Sequence, residues 1–219
     1  MGQRTQVLII KENNKGKRKC SFFHHQWGIG RVMYFGLMDL FMQDYCKDTF
    51  DKGYDYLSRP SFATSKRFYD LTDEVPAKVL EQVNPDNFAT IAHVFDWGDN
   101  NNGGLVVYMR ENKIAYHTSD IKIGFLIGPE DTHSIWNGEE YHVGNDDDAF
   151  VRWLTPSEYG ALDINSDYAD AEFVRIFNDF CNYFEISVFE NKTTPEENLK
   201  ALKALRSEFE NEQSDKGEE

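Results

Sequence analysis

Residues 21–31 combine chemically active side chains with a corner of the backbone. They read SFFHHQWGIGR, with His24 and His25 shortly before Trp27 and a Gly-x-Gly pair. Imidazoles act as acid–base groups and metal ligands, and glycines permit a tight corner. If the corner turns a helix N-terminus toward a ligand, its amides and the arginine that follows would attract an anion. The candidate ligand-binding residues are Arg4, His24, His25, Trp27 and Arg31.

The same stretch also has a purely structural interpretation. Trp27 would then close the core, and the glycines would only make the corner. Adjacent residues of a strand point to opposite faces, so His24 and His25 line one pocket only if a bulge intervenes. The spacing therefore does not indicate a metal site, and GIGR lacks the spacing of a phosphate-binding fingerprint. Both interpretations remain open at this point.

The stretch DWGDNNNGG, residues 96–104, is a second candidate site. Its carboxylate and amide oxygens are ligands that calcium prefers. However, an EF-hand loop counted from Asp99 requires a glutamate where Arg110 stands. Ordinary turn formation explains the asparagines and glycines better. We expect no metal ion here.

No complete catalytic motif occurs in the chain. Neither a Gly-x-Ser-x-Gly elbow nor a Walker phosphate loop is present. Cys20, Cys46 and Cys181 are far apart and odd in number, which does not suit a disulfide framework or a zinc knuckle. We expect reduced thiols, no cofactor and a cytoplasmic location. The sequence leaves open whether the protein is an enzyme, and the absence of these motifs favours a non-enzymatic role.

Apolar patterning predicts the elements that position these residues. The runs TQVLII and CSFFHHQW flank a polar tip with Gly16, which is typical of a β-hairpin. Helical spacing predicts helices over 31–45 and within YADAEFVRIFNDFCNYFEI. Pro76 and Pro195 mark two further helix starts. We also predict a short helix near 64–70, strands over 105–110, 113–117 and 121–127, and a solvated acidic insertion over 128–150.

These elements predict an α+β fold, with helices packed on an antiparallel sheet built from hairpins. The length of 219 residues and the aromatic content of 15% suffice for one large core. We predict a single domain over 1–190. An exposed C-terminal helix and a frayed acidic tail would follow over 191–219.

The net charge of −15 limits the possible partners. Such a chain is repelled by duplex nucleic acid and by anionic membranes, and it attracts basic protein surfaces. Solubility alone would also account for this charge. The hairpin tip at 11–19 is a small basic exception. Acidic blocks lie over 130–148 and after 207, and the candidate partner-binding residues are Asp146, Asp147 and Asp148. The sequence does not indicate the oligomeric state.

Met1-Gly2-x-Arg4, the hairpin, HHQWGIG and the following helix resemble a recurring type of uncharacterised protein from bacterial phages and other mobile elements. Gln3 stands where that type usually has threonine, and the resemblance extends to about residue 45. It implies a setting in a bacterial cytosol and no particular reaction.

Two functions are compatible with these features. The chain would be an acidic mobile-element protein that binds a basic surface of a host or phage protein. It would then inhibit a nucleic-acid-handling factor by imitating phosphate charge. Alternatively, it would be a small ligand-binding or hydrolytic domain with its site at the 24–31 corner. A pocket lined by His24 or His25 together with Arg4 and Arg31 would favour the second function, and we favour the first.

Overall fold

The computed structural model describes residues 4–26, 33–34, 36–38, 68–98, 104–110, 120–126, 133–136, 139–142, 151–160 and 170–216. The strands are β1 (Arg4–Glu12), β2 (Arg18–Gln26), β3 (Phe68–Asp70), β4 (Gly104–Arg110), β5 (Ile121–Leu126), β6 (His133–Trp136), β7 (Glu139–His142) and β8 (Ser187–Val188). The α-helices are α1 (Ala77–Gln82), α2 (Phe88–Phe95), α3 (Pro156–Gly160), α4 (Asp170–Tyr183) and α5 (Pro195–Lys216), and a 3₁₀ turn covers Thr72–Glu74.

Six strands form one sheet in the order β3-β2-β1-β4-β5-β8, and β6 and β7 pair separately. The α+β class is therefore confirmed, but the prediction of a purely antiparallel sheet is wrong. β1 pairs in parallel with β4, and β5 pairs in parallel with β8. In the described part of the chain, β2, β3, α1 and α2 lie between β1 and β4, and β4 enters the sheet beside β1 in the same direction.

The N-terminal hairpin agrees with its sequence pattern. β1 and β2 pair antiparallel from Arg4 opposite Gln26 to Glu12 opposite Arg18. The side chain of Asn13 accepts hydrogen bonds from the backbone amides of Lys15 and Lys17, at 2.9 and 3.0 Å. Gly16 has a φ of 74°, a conformation that residues with a side chain rarely adopt. The turn therefore requires a glycine at this position.

Helices cover both faces of the sheet. Val7 and Ile9 of β1 belong to a core cluster that contains α4 and the helical residues near 33–37. Leu8 and Ile10 belong to a second cluster on the other face, with α1, α2 and α5. A strand that is buried on both faces needs a continuous apolar run, and VLII provides one.

The predicted helices over residues 170–183 and from Pro195 onward are confirmed as α4 and α5. The described residues of the predicted helix over 31–45, which are 33, 34 and 36–38, are helical. Phe68–Asp70 is a strand paired with β2, so the helix predicted near 64–70 is wrong there. The acidic insertion contains the β6–β7 hairpin. The predicted strand over 113–117 lies outside the described residues.

Candidate functional site

Four polar side chains are buried together where β1 begins and β2 ends. Thr5 lies opposite His25 in the strand register, and Gln6 lies opposite His24. Their exposed fractions are 0% for Thr5 and Gln6, 1% for His25 and 9% for His24. Burial of polar groups lowers stability unless hydrogen bonds compensate for the lost water. This end of the hairpin is therefore a candidate functional site.

The two histidines belong to different faces of the sheet. Phe22 packs in the cluster with α1, α2 and α5, and Phe23 packs in the opposite cluster. Side chains alternate along a strand, so His24 lies on the face of Phe22 and His25 on the face of Phe23. The structure does not bring the two imidazoles into one pocket.

His24 is held by a neighbour on β1. Nε2 of the Gln6 amide and Nδ1 of His24 are 2.8 Å apart. With the amide nitrogen as donor, Nδ1 accepts, and the proton of the neutral ring lies on Nε2. The ring of Tyr69 on β3 lies 5.9 Å from the imidazole, centroid to centroid. These contacts hold the orientation of the His24 ring.

On the opposite face, hydroxyl groups lie among aromatic rings. Thr5 Oγ1 and the hydroxyl of Tyr159 on α3 are 3.2 Å apart, and the hydroxyl of Tyr34 donates to the carbonyl oxygen of Pro156. The ring of Tyr159 stacks on Phe125 with centroids 4.4 Å apart. A side chain on Gly160 would lie 3.0 Å from the Tyr34 hydroxyl. This face is packed tightly around its hydrogen bonds.

Most of the residues predicted for a site cannot be placed next to these groups. Arg4 is the first residue of β1, and its backbone pairs with Gln26. Trp27 and Arg31 lie outside the described residues, as do Asp146, Asp147 and Asp148. The structure therefore places His24 and His25 in the core and shows the backbone position of Arg4.

Sequence reasoning missed Thr5, Gln6 and Tyr159. A signal for the first two was present, because two adjacent polar residues open the otherwise apolar run TQVLII. Matching the two arms of the hairpin around its tip places these residues opposite the two histidines. Tyr159 is 154 positions from its partner Thr5, and no local pattern marks it.

Among the described residues, no group of three or more His, Cys, Asp or Glu side chains is arranged to hold a metal ion. In the candidate loop over 96–104, the carboxylate of Asp96 accepts two hydrogen bonds from Arg206 on α5. Residues 99–103 of that loop lie outside the described ranges. Asp96 is thus engaged with α5 rather than directed at a cation.

A separate cleft of about 490 Å³ lies at the β8 edge of the sheet. Its aromatic wall consists of Phe88, Trp153 and Phe189, with Trp153 and Phe189 stacked 4.5 Å apart. Lys122 and Lys192 supply positive charge, and Asp86, Glu190 and Glu197 supply negative charge. The volume is within the range of small-molecule sites. No sequence motif marked this cleft.

Comparisons with known proteins do not identify either location. No protein-family model matches the sequence, and no curated protein or solved structure matches the chain. Within the described ranges, no helix is both long enough and apolar enough to cross a membrane.

Proposed function

We propose that this chain is an acidic interaction protein that binds a basic surface of another protein. In the setting implied by its N-terminal resemblance, it is a cytoplasmic protein of a phage or mobile element, and its partner is a host or phage protein. By imitating phosphate charge, it inhibits a nucleic-acid-handling factor, for example one used in defence. The net charge of −15 supports this proposal.

The observation that carries the proposal is the way α5 is attached. Leu202 is fully buried against the core, and Asn198 donates a hydrogen bond to the carbonyl oxygen of Val151 at 2.8 Å. These contacts hold one side of a 22-residue helix. The carboxylates of Glu196, Glu197, Glu208 and Glu210 are on exposed residues. A fixed helix presents these charges without the entropy loss of ordering a flexible tail.

The test uses charge reversal on α5. A partner is first captured from host lysate, identified by mass spectrometry and purified. The association rate constant is then measured at low and high salt. We expect fast association at low salt that slows as salt rises, because salt screens exposed charges. The double variant Glu208→Lys/Glu210→Lys should associate several-fold more slowly, since rim charges act mainly on the association rate.

A matched control separates a local contact from the total charge. Asp73→Lys/Glu81→Lys makes the same change in charge at exposed positions in the 3₁₀ turn and α1. It should slow association less than the α5 variant. Reversal of Asp146, Asp147 and Asp148 to lysine tests the second acidic block in the same way. Equal effects of all three variants would indicate that association depends on the total charge of the protein and not on a local contact. Tight binding of duplex DNA at ~150 mM salt would overturn the proposal.

A second function is favoured by one specific observation, the burial of the polar side chains of Thr5, Gln6, His24 and His25 at one end of the hairpin, although they lie on opposite faces of the sheet. In this alternative, the chain is a small ligand-binding or hydrolytic domain with its site at the 24–31 corner. Trp27→Ala distinguishes the interpretations. Loss of about 3–5 kcal/mol in the free energy of unfolding would identify the ring as part of the core. A fully stable variant that no longer binds or converts a ligand would favour the site.

A further inference from the structure

We infer that the cleft beside β8 binds an extended peptide segment, which adds to the edge of the six-stranded sheet. β8 is the last strand of the sheet order, and among the described residues it pairs with one strand, β5. Sheet edges offer backbone N–H and C=O groups that an added strand can pair with. The inference rests on three features: the direction of the backbone groups, an amide already present at this edge, and the walls of the cleft.

The strand register shows which backbone groups point outward. Ser187 lies opposite Lys122, and Val188 lies opposite Ile123. The amide of Phe189 donates to the carbonyl oxygen of Ile123 at 2.8 Å. In a parallel pair, alternate residues direct their backbone groups to the neighbouring strand. The N–H and C=O of Val188 therefore point away from β5. Val188 is also one of the residues that line the cleft.

The molecule already shows how an amide pairs at this edge. Leu154 bridges to Phe125 of β5, which turns the backbone groups of Trp153 outward. The side chain of Asn191 pairs with both of those groups. Its Oδ1 accepts from the Trp153 amide at 2.7 Å, and its Nδ2 donates to the Trp153 carbonyl oxygen at 2.9 Å. The Asn191 amide thus forms the same two hydrogen bonds with the backbone of Trp153 that a peptide group of an added strand would form with the backbone of Val188.

The residues that line the cleft indicate which kinds of side chain the peptide would carry. Phe88, Trp153 and Phe189 form an apolar wall for every second side chain of an extended segment. Lys192 and Asp86 form an exposed ion pair at 3.5 Å. The remaining lining charges are Lys122, Glu190 and Glu197, which leaves a net charge of −1 in a chain of net charge −15. An apolar segment with interspersed lysine or arginine residues fits these walls best.

The basic character of the peptide rests on the function proposed above, whereas its pairing with β8 does not. The probe is a fluorescein-labelled octapeptide of alternating lysine and valine, with blocked ends. Binding to the full chain is measured by fluorescence anisotropy. We expect weak binding, and we expect an octapeptide of alternating glutamate and valine not to bind.

N-methylation of the peptide backbone tests the strand pairing directly. One probe is methylated at its two central lysines and another at its two central valines. An added strand directs alternate N–H groups to its neighbour, so only one of the two probes should lose affinity. A loss of about tenfold corresponds to roughly one hydrogen bond. Equal affinity of both methylated probes and the unmodified probe would overturn the inference.

Protein variants provide a second test. Val188→Pro removes an outward N–H and leaves the backbone groups that pair with β5, at an edge position where strands tolerate proline. It should weaken binding of the unmodified probe as much as the effective methylation does, with an unchanged melting temperature. If Val188→Pro does not fold, the two methylated probes decide the question with the natural chain. Glu190→Lys should weaken the lysine probe and strengthen the glutamate probe.

The outcomes separate this inference from the function on which it partly rests. A salt-dependent protein partner that responds to Glu208→Lys/Glu210→Lys, with no probe bound at the cleft, would overturn the inference and leave the function standing. Binding of both the lysine and the glutamate probe, with loss on one methylation pattern, would support strand addition and contradict the basic character of the peptide.

Discussion

The guanidinium of Arg206 on α5 donates to both carboxylate oxygens of Asp96 at the end of α2, at 2.8 and 2.5 Å. The side chains of Arg206 and Asp96 are 31% and 16% exposed, so solvent screens the pair only in part. Arg206→Ala should lower the free energy of unfolding by about 1–3 kcal/mol, because a mostly buried carboxylate loses its charged donors. Urea denaturation measures the change.

Arg175 on α4 provides a control for this measurement. It pairs with Glu172 and Asp179 on the same helix, and all three side chains are about 60% exposed. Arg175→Ala should therefore leave the urea midpoint unchanged. An equal loss of stability in both variants would show that the ion pair between α2 and α5 contributes no more to stability than an exposed ion pair does.

The pair also bears on metal binding at the loop over 96–104. Since Arg206 occupies the carboxylate of Asp96, a cation would have to displace it. We expect added calcium or zinc to leave the melting temperature unchanged. A ligand at ~100 times its dissociation constant would add about 2.7 kcal/mol. A rise of several degrees with either ion, measured by differential scanning fluorimetry, would contradict this expectation, and Asp96→Asn would then show whether that carboxylate is a ligand.

Patterns along the chain predicted the local parts of the fold. The two apolar runs around Gly16 indicated the first hairpin, and helical spacing within residues 168–186 indicated α4, although Phe177 of that pattern is buried and Tyr183 is 80% exposed. α2 was not recognised as a helix because all eight of its residues are buried. A largely apolar segment of eight residues that is buried throughout is difficult to tell from a buried strand by sequence pattern alone.

Contacts between residues far apart in the sequence could not be predicted from local sequence patterns. Nothing in TQVLII indicates that β4 pairs with it in parallel, because that choice depends on the path of the intervening chain. At the candidate site, alternation correctly predicted that His24 and His25 do not share a face. The partners across the fold did not follow from spacing, since Asp96 and Arg206 are 110 positions apart.

Cys20 and Cys181 should be unreactive in the folded protein. Both thiols are buried, and this burial raises the pKa of each to about 12. The thiolate is the reactive form, so little of it exists at pH 8. In a Cys46→Ser variant, iodoacetamide should add no mass at pH 8 without denaturant. It should add two alkyl groups in guanidinium chloride, which mass spectrometry can count. Rapid modification of the folded variant would show that one of the two thiols opens to solvent.

His93 should make the stability of the protein dependent on pH. It is 2% exposed on α2, and its ring lies 5.0 Å from Trp97 and 5.8 Å from Phe209 on α5. Burial lowers the pKa of His93 below its ordinary value of 6.5, nearby Asp96 raises it, and Arg206 lowers it further. The folded state therefore favours the neutral ring more than the unfolded state does.

The sign of the pH effect follows from proton binding. As the pH falls through the ordinary value of 6.5, the unfolded chain gains a proton at His93 while the folded chain still excludes it. Stability from the neutral ring is thus complete above that pH and is lost below it. We expect His93→Gln to be less stable than the natural chain at pH 8 and to approach it at pH 5, as measured by urea midpoints. Other titrating groups contribute equally to both proteins, so their effects cancel when the variant is compared with the natural chain. A difference in stability that does not change with pH would refute the assignment to His93.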